Sequence, residues 1–506
     1  MITRLKIDGF KNLVGVDIRF GPLTCIAGLN AVGKSNLFDA IRFLSDLADK
    51  TLISAAVSVR SEGQKNADIR SLFHRVGNAE GYRAERMSFE VEMLIPKIGI
   101  DELGQTAEAT ITSVKYSLIL KLISDNSING DVRIEIEKEE LVPITQTQAK
   151  KNVRYYASEP WMKSVIKGKR GTPFISTTPD NIVRLHSDLG GDKGGRPLNR
   201  QVMQLKKTVL SSVDASQSPT ALIVKNEMMS WRMLQLEPSS LRQSDELHSI
   251  QNARLGADGA HLPATLYRLQ LENEKTKNPP NIYKLLSNRL SELVDDISDL
   301  EVDKDDKREL LTLIVKDKNG TPHPARALSD GTLRFIGLAV LELDNQSNGV
   351  ICLEEPENGI HPEKIASVIK LLEDICTDTE MAIGDDNPLR QVIINTHSPL
   401  VVQEIYDDSL LMAELKEDMT DKKIHFKKTV FNPLISTWRT KIDKNTRPVS
   451  KGKLLAYLGA SDNEQKTEIS YAAEQNAVYH SSHKKRLRVR ERKDIANQTK
   501  ILYPTE

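Results

Sequence analysis

Short apolar runs and helically spaced apolar stripes alternate along the chain. Residues 2–12, Ile-Thr-Arg-Leu-Lys-Ile-Asp-Gly-Phe-Lys-Asn, alternate apolar and polar positions. That period predicts a first strand ending in a Phe-Lys-Asn turn. Leu23 to Ala27 is a continuous apolar run, read as a short buried strand. From Asn36 to Leu47 the residues Leu37, Ile41, Phe43 and Leu44 fall at helical spacing. Met87 to Leu94, Trp231 to Glu237 and Leu310 to Val315 read as strands. Leu262 to Leu271, Ile282 to Ile297 and Phe335 to Leu343 read as helices. Two late apolar runs, 349–353 and 391–394, predict buried strands that each end in polar residues. Strands alternating with helices predict an α/β fold, which collects its chemistry at the carboxyl ends of its strands.

Between these patterned halves the chain changes character. No heptad repeat runs through residues 95–230, so no long coiled coil is expected there. Residues 150–200 are polar and glycine-rich, with basic clusters at Lys150-Lys151 and Lys167-Gly-Lys-Arg170. Leu189 to Arg196 fits neither a phosphate loop nor a dinucleotide fingerprint and reads as a surface insertion. With 506 residues there is room for roughly two to four domains. The expected divisions are 1–95, a polar insertion at 96–225, 226–412, and a basic extension at 413–506.

Charge adds one local feature. Lys and Arg number 70, as do Asp and Glu, so the formal net charge is zero and gives no global sign of nucleic-acid binding. Residues 484–493, Lys-Lys-Arg-Leu-Arg-Val-Arg-Glu-Arg-Lys, are the exception. Such a strip suits phosphate contacts, a docking site for an acidic partner, or a solvated tail. The 3 cysteines, Cys25, Cys352 and Cys376, are not in metal spacing, read as core thiols and fit a reducing compartment. No run approaches the roughly 20 apolar residues of a membrane span, and the first residues resemble neither a signal nor a transit peptide. A cytoplasmic location without a membrane partner is expected.

Residues 28–36 read Gly-Leu-Asn-Ala-Val-Gly-Lys-Ser-Asn, which contains the phosphate loop G-x-x-x-x-G-K-[ST]. Its glycines let successive N–H groups turn toward phosphates, Lys34 brings a positive charge to the β and γ oxygens, and the Ser35 hydroxyl suits Mg²⁺. The helix that follows turns its N-terminus toward the anion.

Four further stretches carry polar groups at the ends of predicted elements. Ser329-Asp-Gly-Thr332 opens the helix through Leu343, as an anion site or an ordinary N-cap. Glu354-Glu355-Pro356 ends an apolar strand and supplies two carboxylates. Asn358-Gly-Ile-His-Pro362 follows as a turn, with His361 a potential capping residue. Thr396-His397-Ser398 ends the last buried strand, where a histidine either is structural or reaches a γ-phosphate or its attacking water.

In this order the motifs resemble the ABC-type ATPase head of the RecF, SMC and OLD group, over roughly residues 1–95 and 220–412. The resemblance implies a mixed sheet flanked by helices, a helical lobe, and ATP and Mg²⁺ as ligands. It makes Gly28 to Asn36 the Walker A loop, with Lys11, Asn30, Gly33, Lys34, Ser35 and Asn36 binding nucleotide. Ser35 and Glu354 would hold the metal, Glu355 would be the catalytic base, and His397 the switch histidine. Asn358 to Pro362 takes the D-loop place. Ser329, Gly331 and Thr332 would close on ATP held by a second copy, so a homodimer or higher oligomer is implied.

Three departures stand out: Glu354 replaces the more usual Asp, the signature reads Ser-Asp-Gly, and no Q-loop glutamine follows the Met87 to Leu94 strand. The stretch 410–418 also lacks the Glu-Gly and Asp-x-Asp of a Toprim nuclease, so no intrinsic nuclease is expected. The overall pattern resembles the arm-less ATPases of bacterial anti-phage systems (Septu, PARIS, retron-associated and abortive-infection types), which act with a separately encoded effector, a nuclease or toxin. A RecF-like DNA-repair ATPase and an ATP-dependent scaffold with negligible turnover are the alternatives.

Overall fold

The computed structural model describes residues 1–59, 68–76, 83–124, 132–154, 156–188, 197–202, 205–251, 253–275, 281–294, 296–420, 423–443, 446–459, 486–492 and 495. The Gly-rich stretch 189–196 and Lys484, Lys485 and Lys493 lie outside them.

The chain opens with β1 (Ile2–Asp8), β2 (Val16–Arg19), β3 (Leu23–Ala27), α1 (Lys34–Leu47) and α2 (Leu52–Ser58). Next come β4 (Arg86–Leu94), a small hairpin of β5 (Ile98–Ile100) and β6 (Thr106–Glu108), and a long hairpin of β7 (Ser113–Ser124) and β8 (Val132–Pro143). The insertion continues through α3 (Gln146–Val153), α4 (Glu159–Val165), β9 (Ile175–Thr177), β10 (Ile182–Leu185), β11 (Leu198–Gln201) and α5 (Pro219–Met229).

After β12 (Arg232–Leu234) a lobe follows, built from α6 (Pro238–Leu241), β13 (Asp245–Glu246), α7 (Leu262–Glu274), α8 (Ile282–Ser291), β14 (Ile297–Asp305), β15 (Leu310–Asp317) and β16 (Pro322–Pro324). The chain then runs through α9 (Asp330–Leu343), β17 (Gly349–Glu354), α10 (Ile365–Ile375), β18 (Arg390–Thr396) and α11 (Pro399–Glu404). It ends in β19 (Leu410–Met419), β20 (His425–Pro433), α12 (Trp438–Ile442) and α13 (Lys451–Gly459).

The central sheet has the order β12-β17-β18-β3-β19-β20, parallel except for the last pair. Its middle strands β17, β18 and β3 are buried on both faces, as parallel strands are. Ile26 of β3 and Val350 and Cys352 of β17 face one core, shared with α1. Cys25 and Ala27 of β3 and Ile351 and Leu353 of β17 face a second core with α7 to α11 and α13. This two-residue alternation explains why the runs read as continuously apolar.

A second, antiparallel sheet has the order β11-β10-β9-β8-β7-β4-β1-β2. Strands β7 to β11 of the region 96–225 therefore extend the ladder begun by β1 and β4, and the two regions share one core. The expected boundary at 412/413 falls inside β19, and that at 225/226 inside α5.

Two predicted elements are shorter than their patterns. The strand expected from Trp231 to Glu237 pairs only over β12, because the chain turns away into the lobe. The helix expected to Ile297 ends at Ser291, and Ile297 instead starts β14. Among the described residues no α-helix exceeds the 14 residues of α1 and α9, and none is long and apolar enough to cross a membrane.

The basic strip docks on the chain itself. Arg486 pairs with Asp408 at 2.8 Å, Arg488 with Glu373 at 2.7 Å and Arg492 with Asp407 at 2.8 Å, while Arg490 pairs with Glu404. The guanidinium carbons of Arg486 and Arg488 also sit 4.2 and 4.0 Å from the Tyr406 ring centroid. Of the three readings of this strip, the described arginines fit docking to an acidic surface, and that surface is intramolecular.

Candidate nucleotide site

The phosphate loop connects β3 to α1, beyond the carboxyl end of a strand flanked on both sides by parallel neighbours. Gly33 has φ +97°, in the left-handed region. A Cβ there would lie 2.4 Å from the Thr429 hydroxyl and 2.5 Å from the Asn12 amide. The loop is further fixed by Thr429, whose hydroxyl donates to the Val32 carbonyl at 2.6 Å, and by Asn36, whose amide donates to Asn12 at 2.7 Å. Lys34 is buried and donates to the carbonyls of Gly28 at 2.6 Å and Leu29 at 2.9 Å. Burial lowers its pKa, against the pull of Glu355, Glu357 and Glu354.

A cleft of about 280 Å³ joins Asn30, Gly33, Lys34, Ser35 and Asn36 to Glu354 and Glu355 at the end of β17. Asn12, Ala31 and Asn395 complete its lining. Asn12 was not singled out by the sequence pattern, although the Phe-Lys-Asn turn that carries it was. Lys11, the expected ligand from that turn, pairs with Asp39 of α1 and does not line the cleft. Its backbone is left-handed (φ 49°).

Glu355 has φ 45°, a strained backbone for a residue with a side chain. Its N–H donates to the Asn395 carbonyl at 3.0 Å, and its two carboxylate oxygens are held separately. Oε1 lies 2.6 Å from His397 Nδ1, and Oε2 accepts from the Asn358 amide at 3.0 Å. Burial raises its pKa, but hydrogen bonds from Asn358 and His397 and the charges of His397 and Lys34 outweigh it, leaving the carboxyl below its usual range. Glu354 accepts from the Asn395 amide at 3.3 Å.

The signature residues stand apart from this cleft. Ser329 is the N-cap of α9 and its hydroxyl accepts the Thr332 N–H at 3.2 Å. Gly331 faces the D-loop, where an added Cβ would lie 2.4 Å from the Gly359 carbonyl. Arg334, one turn on, donates to the carbonyls of Leu236 and Asn358, linking α9 to both loops. His361 caps the short turn at 362–364 and accepts the Glu363 N–H at 3.4 Å.

A smaller cleft of about 130 Å³ lies on the other side of the two acids, and Gln235 lines it with Glu354, Glu355 and Arg334. Gln235 directly follows β12, the parallel neighbour of β17. β4, after which a Q-loop glutamine was sought, belongs to the antiparallel sheet and does not lie beside β17. The available signal for Gln235 was its place directly after the short strand Arg232–Leu234 and before the lobe.

This strand order, with the phosphate loop, paired acids and histidine at adjacent strand ends, is that of an ABC-type P-loop ATPase head. Residues 234–403 match the family described as "AAA domain, putative AbiEii toxin, Type IV TA system". The DNA replication and repair protein RecF of Porphyromonas gingivalis is 35% identical over 74 residues, 14% of this chain and 20% of that protein. RecF of Phocaeicola vulgatus is 34% identical over 65 residues, 13% of this chain and 18% of that protein. The match thus spans about a fifth of those relatives.

Among solved structures, an SMC head bound to the C-winged helix domain of ScpA aligns with 14% identity and TM-score 0.44, over 86% of this chain and 98% of that one. The SMC head domain from Thermotoga maritima aligns with 14% identity and TM-score 0.35, over the same shares. These superpositions are loose, and the fold assignment stands on the strand order and the phosphate-loop geometry. Together the family match and the RecF likeness, each over part of the chain, support an ATPase of the RecF type.

Proposed function

We propose that this chain binds and hydrolyses ATP with Mg²⁺ and does so as a dimer. The observation that carries the reading is the single cleft shared by Lys34, Ser35, Glu354 and Glu355, with Glu355 held by both Asn358 and His397. Backbone N–H groups of 28–35 and Lys34 bind the triphosphate. Glu355, kept ionised, accepts the proton of the attacking water, and His397 orients the carboxylate. Ser35 and Glu354 offer the hard oxygen ligands that suit Mg²⁺, whose other ligands are ordinarily phosphates and water. When bound, that ion neutralises charge on the phosphate oxygens.

The dimer is inferred because Ser329, Gly331 and Thr332 do not line the cleft of their own chain. In this reading they cap the ATP of a second copy. The direct test is ATP turnover by the purified chain and by Lys34→Ala, with light scattering of Glu355→Gln in ATP. Turnover that survives Lys34→Ala, or a monomer at every nucleotide state, rejects the reading.

We further propose that the head regulates a separately encoded effector, a nuclease or toxin, in anti-phage defence, and carries no nuclease itself. The matched family's description names a putative toxin of a toxin–antitoxin system, and that is what motivates a toxin-related role here. The 74-residue likeness to RecF favours a second reading, a DNA-repair ATPase. Phage plating on cells with the gene and its neighbours, beside ultraviolet survival of a deletion, separates the two. Protection from phage supports defence, and radiation sensitivity alone supports repair.

A further inference from the structure

Both ends of the phosphate loop rest on one hairpin from late in the chain. β19 lies between β3 and β20, and a Cβ on Gly28 would sit 2.6 Å from the Ala413 carbonyl of β19. At the other end of the loop, Gly33 meets the hydroxyl of Thr429, a fully buried residue of β20. Residues from 413 onward read from the sequence as a separate extension, yet here they press on both glycines of the loop.

Thr429 is bonded on two sides. β20 ends the central sheet, so the outward N–H of Thr429 has no further strand to join. It donates instead to the Asn12 carbonyl at 3.1 Å. The hydroxyl donates to the Val32 carbonyl at 2.6 Å. A phosphate loop turns its N–H groups inward, so its carbonyls point outward and need donors of their own. The peptide joining Val32 to Gly33 is trans, and its C=O and N–H point in opposite directions. Fixing the Val32 carbonyl on Thr429 therefore turns the Gly33 N–H away from the hairpin.

Asn12 is held just as closely. Its side-chain oxygen accepts from the Asn36 amide at 2.7 Å, and it lines the cleft. With that oxygen engaged, the donor end of the amide is left for a ligand, and donors suit phosphate oxygens. The same strand braces the turn before it. The Phe426 ring lies 4.8 Å from that of His74, whose Nδ1 is 2.6 Å from the Lys11 carbonyl.

We propose that Thr429 is a positioning residue of the nucleotide site. Its hydroxyl sets the Val32–Gly33 peptide so that the Gly33 N–H faces the phosphates, and its own N–H keeps Asn12 at the rim of the cleft. The inference deepens the ATPase reading and rests on it. Valine has nearly the same shape as threonine but no donor, and serine keeps the donor.

The test uses the full chain with Thr429→Val, Thr429→Ser and Thr429→Cys, reading ATP affinity by calorimetry, kcat and the melting temperature. Thr429→Val is expected to weaken ATP binding about tenfold with a smaller loss of kcat, because Glu355 and His397 keep their places. Thr429→Ser is expected to recover affinity to within about threefold of the wild type. A threonine that only supports the fold gives a different pattern. It lowers the melting temperature in Thr429→Val with wild-type ATP affinity, and that overturns the inference. So does a loss of affinity that Thr429→Ser shares in full. Should Thr429→Val fail to fold, Thr429→Cys takes its place, since a thiol is a weak donor. An affinity loss of about threefold or more there supports the inference, and wild-type affinity overturns it. Wild-type protein that does not bind ATP overturns the functional reading instead, and this inference with it.

Discussion

His397 Nδ1 lies 2.6 Å from Glu355 Oε1, although 42 positions separate the two residues in the chain. The contact exists because β17 and β18 are parallel and in register, with Glu354 opposite Asn395. It leaves Glu355 Oε2 to Asn358 and fixes the carboxylate plane.

Replacing the carboxylate tests its role. Glu355→Gln should lower ATP turnover by about 10²–10⁴-fold, the usual range for a general base, with nucleotide binding retained. His397→Ala should slow turnover less, because it removes only one of two holds on Glu355. Stopped-flow single turnover beside equilibrium binding separates the two effects.

The pH response of Glu355 has a defined sign. Its folded-state pKa is depressed, so its contribution to stability is present above the ordinary carboxylate pKa and lost as pH falls through the lower folded value. Glu355 should therefore stay ionised from neutral pH down to the ordinary carboxylate range. A turnover profile whose acid limb near pH 6 disappears in Glu355→Gln, measured on residual activity, would contradict this.

A second buried carboxylate titrates in the opposite sense. Glu139 is fully buried in the antiparallel sheet and accepts the N–H groups of Val209 at 2.7 Å and Leu210 at 2.9 Å. Burial outweighs these bonds and pushes its pKa from 4.5 to about 7. The folded state thus holds the proton more tightly than the unfolded one, and stability should fall as pH rises from 4.5 to about 7. Thermal melts of Glu139→Gln across that window should show a flatter slope than the wild type.

Gly33→Ala should disable the loop without dissolving the fold. It forces a side chain into φ +97° and against Thr429 and Asn12. A cost of about 1–3 kcal/mol is expected, concentrated in the loop. Calorimetry should show ATP binding lost, with a modest change in melting temperature.

The arginine strip yields a stability effect and a null effect on DNA. Arg488→Ala strips Glu373 of its partner and removes the stack on Tyr406, and about 1–3 kcal/mol of destabilisation is expected. The double change Arg486→Ala and Arg490→Ala should leave the salt dependence of DNA binding unaltered. A fall of about two in the slope of log K against log salt, by fluorescence anisotropy, would assign those cations to phosphates.

Much of the site was legible because its chemistry is local. The phosphate-loop pattern at Gly28 to Asn36 and the acid pair Glu354-Glu355 are each consecutive residues, several of which line one cleft, and apolar runs announced β3, β17 and β18. What was hidden depends on pairing between distant strands. Gln235 gains its meaning only from β12 lying beside β17, and Asn12 from Lys11 turning toward Asp39. The acids that receive Arg486, Arg488 and Arg490 lie 78 to 115 positions away. β8 escaped notice because its outward face carries Arg133, Glu135 and Glu137 in alternation, which reads as a polar stretch.

The placement of β3 sets a schedule for biosynthesis. Its hydrogen-bonded neighbours, β18 and β19, come from residues 390–396 and 410–419, so the phosphate-loop strand leaves the ribosome long before either exists. At ~5–20 residues per second, the wait for β18 is roughly 20–70 seconds. During it, an apolar strand has no edge to join and is exposed to mispairing, which makes the N-terminal third of this nascent chain a natural client for chaperones.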